Sequence, residues 1–194
     1  HAAKLMRYQE LIENVISKEI GRIQMSFGTQ DFNMIQNSMA NTPVLNMLNM
    51  KYVIYNPEAE PLPNRYSNGA VWPINEIVFV ENPTEEIEKV ADINTKIQAV
   101  VDKRFQEQLA SVTNFGNDTA IVQLLAVKSN ELNYNFQSQG DQVLIFSDIY
   151  YADGWNAYID GKPVNHFRAN YVLRGLQVPA GKHSITFKFE PSSV

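Results

Sequence analysis

The chain has 194 residues, 44% of them hydrophobic, with no cysteine and a formal net charge of −5. Such a length and apolar content suit one packed domain, or one with a smaller appended unit, and argue against disorder; the missing cysteine excludes disulfides and thiolate metal sites. With 16 basic against 21 acidic residues and no Lys/Arg cluster, there is no basic stripe for a nucleic acid, and no apolar run approaches the roughly 18 residues that a spanning helix needs.

The spacing predicts an amphipathic helix over 2–20, because Leu5, Tyr8, Ile12, Val15 and Ile16 recur at steps of three and four and Gly21 follows as a stop. Residues 29–41 are polar and Asn-rich and read as a second, irregular helix. Thr42-Pro43 supplies an N-cap with proline at the first helical position, opening a short helix through Leu45 and Leu48. Lys51–Tyr55 is β-branched and aromatic and reads as a strand, and the prolines at 57, 61, 63 and 73 make 56–73 a loop. Ile77–Val80 is a short strand. Asn82-Pro83-Thr84-Glu85 then opens a helix through Val90, with Asn82 as cap and Glu85 placed to bond back to it, and Ile97–Val101 is a further strand. That β-α-β order implies a small α/β layer.

From about residue 119 the period changes to two. Segments 120–127, 131–137, 142–148, 155–159, 163–167, 171–178 and 183–189 read as short strands, with Asp160-Gly161 a hairpin turn and 179–182 a second turn. The expectation is an α+β chain: an α/β part with an N-terminal helix over 1–115 and an antiparallel β-sandwich, jelly-roll or immunoglobulin-like, over 116–194, the two packed as one unit. The abrupt start at His1-Ala2-Ala3 and the end at Glu190–Val194 read as cuts within a longer chain. No signal peptide is visible.

The aromatic residues Tyr150, Tyr151, Trp155, Tyr158 and Tyr171 concentrate around the Asp160-Gly161 turn. Exposed, they form a platform on which a sugar ring stacks; buried, they are sandwich core. Arg168, Asn170 and Arg174 add polar contacts to hydroxyls or phosphates. Each guanidinium can make a two-pronged bond, either to an external anion or to Asp148, Asp153 or Asp160, the nearest carboxylates in sequence. Trp155, Tyr158, Arg168, Asn170, Tyr171 and Arg174 are therefore the candidate substrate-binding residues. His166 and His183 have no ligand or base spacing, and Asp141, Asp148, Asp153 and Asp160 form no calcium loop. No catalytic residue, metal site or cofactor motif stands out, and Asn117-Asp118-Thr119 is a glycosylation-type triplet.

Three stretches resemble a known family. Tyr150-Tyr151-Ala152-Asp153-Gly154-Trp155-Asn156-Ala157-Tyr158-Ile159-Asp160-Gly161-Lys162, then Arg168–Gly175 running into Val178–His183, and upstream Leu45–Ile54, are similar to the C-terminal region of the YfhO family of bacterial membrane proteins. The resemblance covers roughly residues 42–191. It implies a multi-spanning protein resembling GT-C glycosyltransferases, which use polyprenyl-phosphate sugar donors and carry their catalytic carboxylates on loops between early membrane helices. The present chain would be an extracytoplasmic accessory domain, on the periplasmic or extracellular side. Its partners would be the protein's own membrane helices and a glycan or lipid-linked sugar. The alternative is a structural or protein-interaction domain without sugar affinity.

Overall fold

The structure, a computed structural model, describes residues 2–109 and 120–191. The N-terminal helix runs from α1 (Ala2–Leu11) through one wide π turn (Ile12–Ile16) into α2 (Ser17–Phe27). Gly21 therefore lies inside the helix and does not end it. The reason is energetic: a mid-helix glycine costs about 1 kcal/mol, whereas burying Ile23, two residues later, yields about 1.5–3 kcal/mol. Leu11, Val15, Glu19 and Ile23, at steps of four, form the buried stripe.

Asp31 accepts from the amides of Asn33 and Met34, which makes α3 (Phe32–Ala40) a regular helix. Thr42 does stand at the N-cap of α4 (Pro43–Met47), but its hydroxyl donates backward to the Met39 carbonyl. The free amides of Val44 and Leu45 donate instead to the Glu19 carboxylate, at 3.1 and 2.8 Å. A side chain 25 residues upstream thus caps this helix. Burial pushes the Glu19 carboxyl up, against the pull of those two amides and Arg22.

The expected strand at 51–55 shrinks to β1 (Tyr52–Val53), paired with β2 (Leu62–Pro63). β3 (Val71–Ile74) then emerges from the end of the expected loop. It carries Pro73 yet pairs with a later strand, because it lies at a sheet edge where a missing N–H leaves no gap in a ladder. β4 (Glu76–Val80), α5 (Pro83–Val90) and β5 (Gln98–Asp102) form the β-α-β unit, with β4 and β5 parallel. Asn82 accepts from the Glu85 amide as expected, and the Glu85 carboxylate reaches back to the Glu81 amide, one residue ahead of the cap. A 3₁₀ turn (Lys103–Phe105) and α6 (Gln106–Leu109) follow.

The remaining strands are β6 (Ile121–Lys128), β7 (Glu131–Ser138), β8 (Gln142–Ile149), β9 (Trp155–Ile159), β10 (Lys162–Val164), β11 (Phe167–Ala169), β12 (Leu173–Val178) and β13 (Gly181–Phe189). They form two antiparallel sheets, ordered β10-β9-β13-β7-β6 and β11-β12-β8-β3. The segment expected as one strand over 163–167 divides between the two sheets, β10 in the first and β11 in the second. The turn expected at 179–182 shortens to 179–180, with Gly181 and Lys182 already in β13, and carries the chain from one sheet to the other. Asp160 (φ 51°) and Gly161 (φ 77°) make the expected tight hairpin turn, with both residues at positive φ.

Between the sheets Tyr134, Phe146 and Phe187 pack edge to face, with centroids 4.9–6.3 Å apart. The other face of the four-stranded sheet, through Val143, Ile145, Phe167 and Leu173, packs on the core formed by the helices and the β-α-β unit. That sheet is a middle layer covered on both sides. Its strand β8 is accordingly buried at five successive positions, 142–146, while β7 keeps the alternation of a half-buried strand. Gly175 sits where any Cβ would fall 2.3 Å from the Phe167 ring of the neighbouring strand. Among the described residues no helix is long and apolar enough to cross a membrane.

Candidate functional site

The six candidate residues divide between two places. Arg168, Asn170 and Tyr171 lie at a junction where the β11–β12 connection meets α5, β5 and the N-terminal helix. At its centre is Glu86, which shares a face of α5 with Val90 and is fully buried. Its carboxylate accepts from Arg7 at 3.0 Å, from Arg168 at 3.2 Å and from the Tyr171 amide at 3.1 Å. Arg168 also lies 3.6 Å from Asp102. Burial pulls the Arg168 guanidinium down from its ordinary value, opposed by Glu86; arginine nevertheless stays charged.

Asn170 adopts a left-handed backbone (φ 48°), as does Tyr171 (φ 71°). The Asn170 amide N–H donates to the Val100 carbonyl, and its side-chain oxygen accepts from the Val100 amide, both at 2.8 Å. One residue thus pairs with the buried edge of β5 like a short strand. The Tyr171 hydroxyl donates to Glu10, and Arg7 stacks 4.5 Å from the Tyr171 ring centroid. Burial, reinforced by Glu10, pushes that phenol up to about 12.

Arg174 lies directly across the ladder from Arg168 but turns to a different environment. Its guanidinium sits 4.3 Å from the Trp155 ring centroid and 5.0 Å from that of Phe187, and Nε donates to the Ile149 carbonyl at 3.2 Å. Asp148 and Asp160, two of the carboxylates nearest in sequence, form no two-pronged bond to either arginine among the described residues. Arg168 reaches Glu86 and Asp102, and Asp148 acts on Arg174 only through its charge, drawing the guanidinium's pKa up against the lowering that burial imposes. Among the described residues Arg168 Nε and Arg174 Nη1 have no hydrogen-bond partner.

Trp155 and Tyr158 border an open groove of about 890 Å³ along β9 and β10. Tyr150, His166, Asn165 and Gln108 are also on its walls. The half-buried Trp155 packs on the inter-sheet core. Tyr158 lies on the opposite face of β9, where its hydroxyl donates to Glu190 at 2.8 Å beside Asn156. Lying on opposite faces of the strand, the two rings do not form one flat platform. His166 lies 5.1 Å from the Tyr150 ring, centroid to centroid, and its Nε2 contacts the Trp155 carbonyl at 2.8 Å. A carbonyl can only accept, so Nε2 carries a proton and donates, while burial lowers the His166 pKa. His183 instead pairs with Asp160 at 2.7 Å, and that bond raises its pKa.

The sequence reading missed Glu86, Arg7, Glu10 and Glu19. Glu86 left a legible signal, a carboxylate four residues from Val90 on the buried face of an amphipathic helix. Arg7 and Glu10 left none, because their partners lie more than 70 positions away. Among the described residues no group of three or more His, Asp or Glu could hold a metal ion. The Asn117-Asp118-Thr119 triplet lies outside the described residues.

A family model described as "Bacterial membrane protein YfhO" matches residues 88–194, more than half of the chain. No curated protein and no solved structure matches. The chain belongs to the YfhO family.

Proposed function

We propose that this part of a YfhO-family protein is an extracytoplasmic accessory domain that holds a glycan, free or as the head of a polyprenyl-phosphate lipid, for a GT-C-like glycosyltransferase formed by the protein's membrane portion. The observation that supports this reading is the groove beside Trp155. It combines three aromatic side chains, which offer apolar faces to sugar C–H groups, with the amides of Gln108, Asn156 and Asn165, which suit hydroxyls. Arg168, Asn170 and Tyr171 have a positioning role here, since the Arg168 Nη2, the Asn170 side-chain oxygen and the Tyr171 amide and hydroxyl bond within the fold.

The alternative, a domain without sugar affinity that only joins parts of the protein, draws support from that same engagement. Titrating the chain with neutral and acidic envelope oligosaccharides, read by NMR shifts and by Trp155 fluorescence, separates the two. Saturable shifts confined to Tyr150, Trp155, Tyr158 and Asn165, lost in Trp155→Ala, support the glycan reading. An unchanged spectrum at millimolar oligosaccharide leaves the joining role.

A further inference from the structure

A pocket of about 450 Å³ lies where the α3–α4 corner, the loop after β2 and the connection from α5 to β5 meet, and it shares no residue with the groove beside Trp155. Three buried polar residues, Asn46, Asn68 and Thr95, are among those that line it, at 5%, 4% and 2% exposure. Each is held by a neighbouring segment. Asn46 Nδ2 donates to the Met39 carbonyl at 2.9 Å, Asn68 Nδ2 to the Thr95 hydroxyl at 3.2 Å, and that hydroxyl to the Pro43 carbonyl at 3.0 Å. A hydroxyl that has given its proton to a carbonyl can only accept, so the Asn68 amide is fixed with Nδ2 towards Thr95. Its Oδ1 then has no partner among the described residues, yet it is not sealed from solvent. Because Asn68 lines the pocket, that is where the oxygen opens. Lys96 Nζ donates to the main-chain carbonyl of the same residue at 2.9 Å, which brings an ammonium close to the unused acceptor.

The rest of the lining mixes donors with acceptors. Asn94 Oδ1 accepts from the Lys96 amide at 3.1 Å, which leaves its Nδ2 as a donor, and Arg22 has only Glu19 at 4.0 Å. Asp92 adds a carboxylate and Tyr66 an exposed ring. This balance decides the class of ligand. An anion would face Asp92, a cation would face Lys96 and Arg22, and an apolar molecule would cover Asn68 Oδ1 without pairing it. A hydroxyl both donates and accepts, so a molecule bearing several of them satisfies every wall. We propose that this pocket binds a neutral sugar residue. Its hydroxyls accept from Lys96 and Asn94 and donate to Asn68 Oδ1 and Asp92, and Tyr66 offers a face to its C–H groups. The volume is within the range of small-molecule sites. The site stands apart from the Trp155 groove and does not rest on the reading of that groove.

The test is an NMR titration of the chain with glucose, galactose, mannose and N-acetylglucosamine, and with glucuronate and glucosamine as charged counterparts. The proposal expects saturable shifts at Asn68, Asn94 and Thr95 with at least one neutral sugar in the millimolar range, and binding of both charged sugars weaker by about threefold or more. Asp92 and Lys96 are exposed, so Asp92→Ala and Lys96→Gln keep the fold, which near-ultraviolet circular dichroism verifies. Each should weaken the neutral sugar by about fivefold, the loss of one hydrogen bond. The absence of saturable shifts there with all four neutral sugars, a charged sugar that binds as tightly, or an affinity indifferent to both variants would overturn the proposal. Shifts confined to Tyr150, Trp155 and Asn165 would also overturn it, while leaving the groove as the site of the glycan. Shifts confined to the pocket would support it and count against the groove.

Discussion

The junction around Glu86 and the groove beside Trp155 use neighbouring strands, and their polar groups are arranged in opposite ways. At the junction a buried carboxylate faces two guanidiniums and a backbone amide, so each charge depends on groups from another element of the chain. Along the groove Tyr158, Asn156 and Glu190 bond to one another within one sheet and remain open to solvent. Breaking a buried ion pair leaves an uncompensated charge out of water, whereas breaking an exposed one exchanges a contact for hydration. Residues of similar chemistry should therefore differ sharply in their effect on stability.

The largest effect is expected from Glu86→Gln, which keeps the shape but leaves Arg7 and Arg168 without their counter-charge. A loss of about 3–5 kcal/mol in chemical denaturation is expected. A loss below about 1 kcal/mol would place the junction in the class of surface pairs and dissolve the contrast.

Next is Asn170→Ala, which removes the side-chain bond to Val100 and forces alanine into a left-handed backbone. The expected loss is about 2–3 kcal/mol. Asn170→Gly should recover about 1 kcal/mol of it, because glycine accepts the positive φ but not the bond. Equal losses in the two variants would show that the backbone conformation contributes nothing.

On the groove side, Trp155→Ala should cost about 2 kcal/mol, roughly half the value for a fully buried tryptophan, since its ring is half-buried and covers Arg174. Tyr158→Phe, which deletes only the hydroxyl bonded to Glu190, should stay within about 0.5 kcal/mol of wild type. If Tyr158→Phe proved as costly as Asn170→Ala, the groove would be a structural element rather than a free surface.

The smallest effect is a pH dependence at the hairpin turn. The bond to Asp160 raises His183 above its ordinary value, so the folded state holds that proton more tightly than the unfolded chain. The resulting stability is fully present below about pH 6.5, the unfolded value, and is lost as pH rises through the raised folded value. Asp160, which the same bond lowers, keeps the pair charged until pH falls below the usual carboxylate range. Melting temperatures of wild type and His183→Gln, measured from pH 5 to 9, should differ at the acid end and converge at the alkaline end. A constant difference across that range would rule out the ion pair as its source.

Much of this architecture was legible in the sequence because it depends on neighbours along the chain. The Asp160-Gly161 turn, the Asn82-Pro83 helix start, the period-two strands after residue 119 and the β-α-β order follow from local backbone preference and side-chain alternation. So did the family, through the stretches from Tyr150 to His183. Tertiary structure alone decided the rest. Gly21 stayed helical because Ile23 had a core to enter, and Glu19 replaced Thr42 as a cap because packing brought it to free amides. The β10–β11 break fell within one apparent strand because the two sheets needed a corner there. Arg168 and Arg174, cross-strand neighbours of the same residue type, acquired different environments for the same reason. Periodicity shows which residues share a face, but charged partners and the second cover of a middle sheet come from segments up to 164 positions apart, a separation that no local pattern encodes.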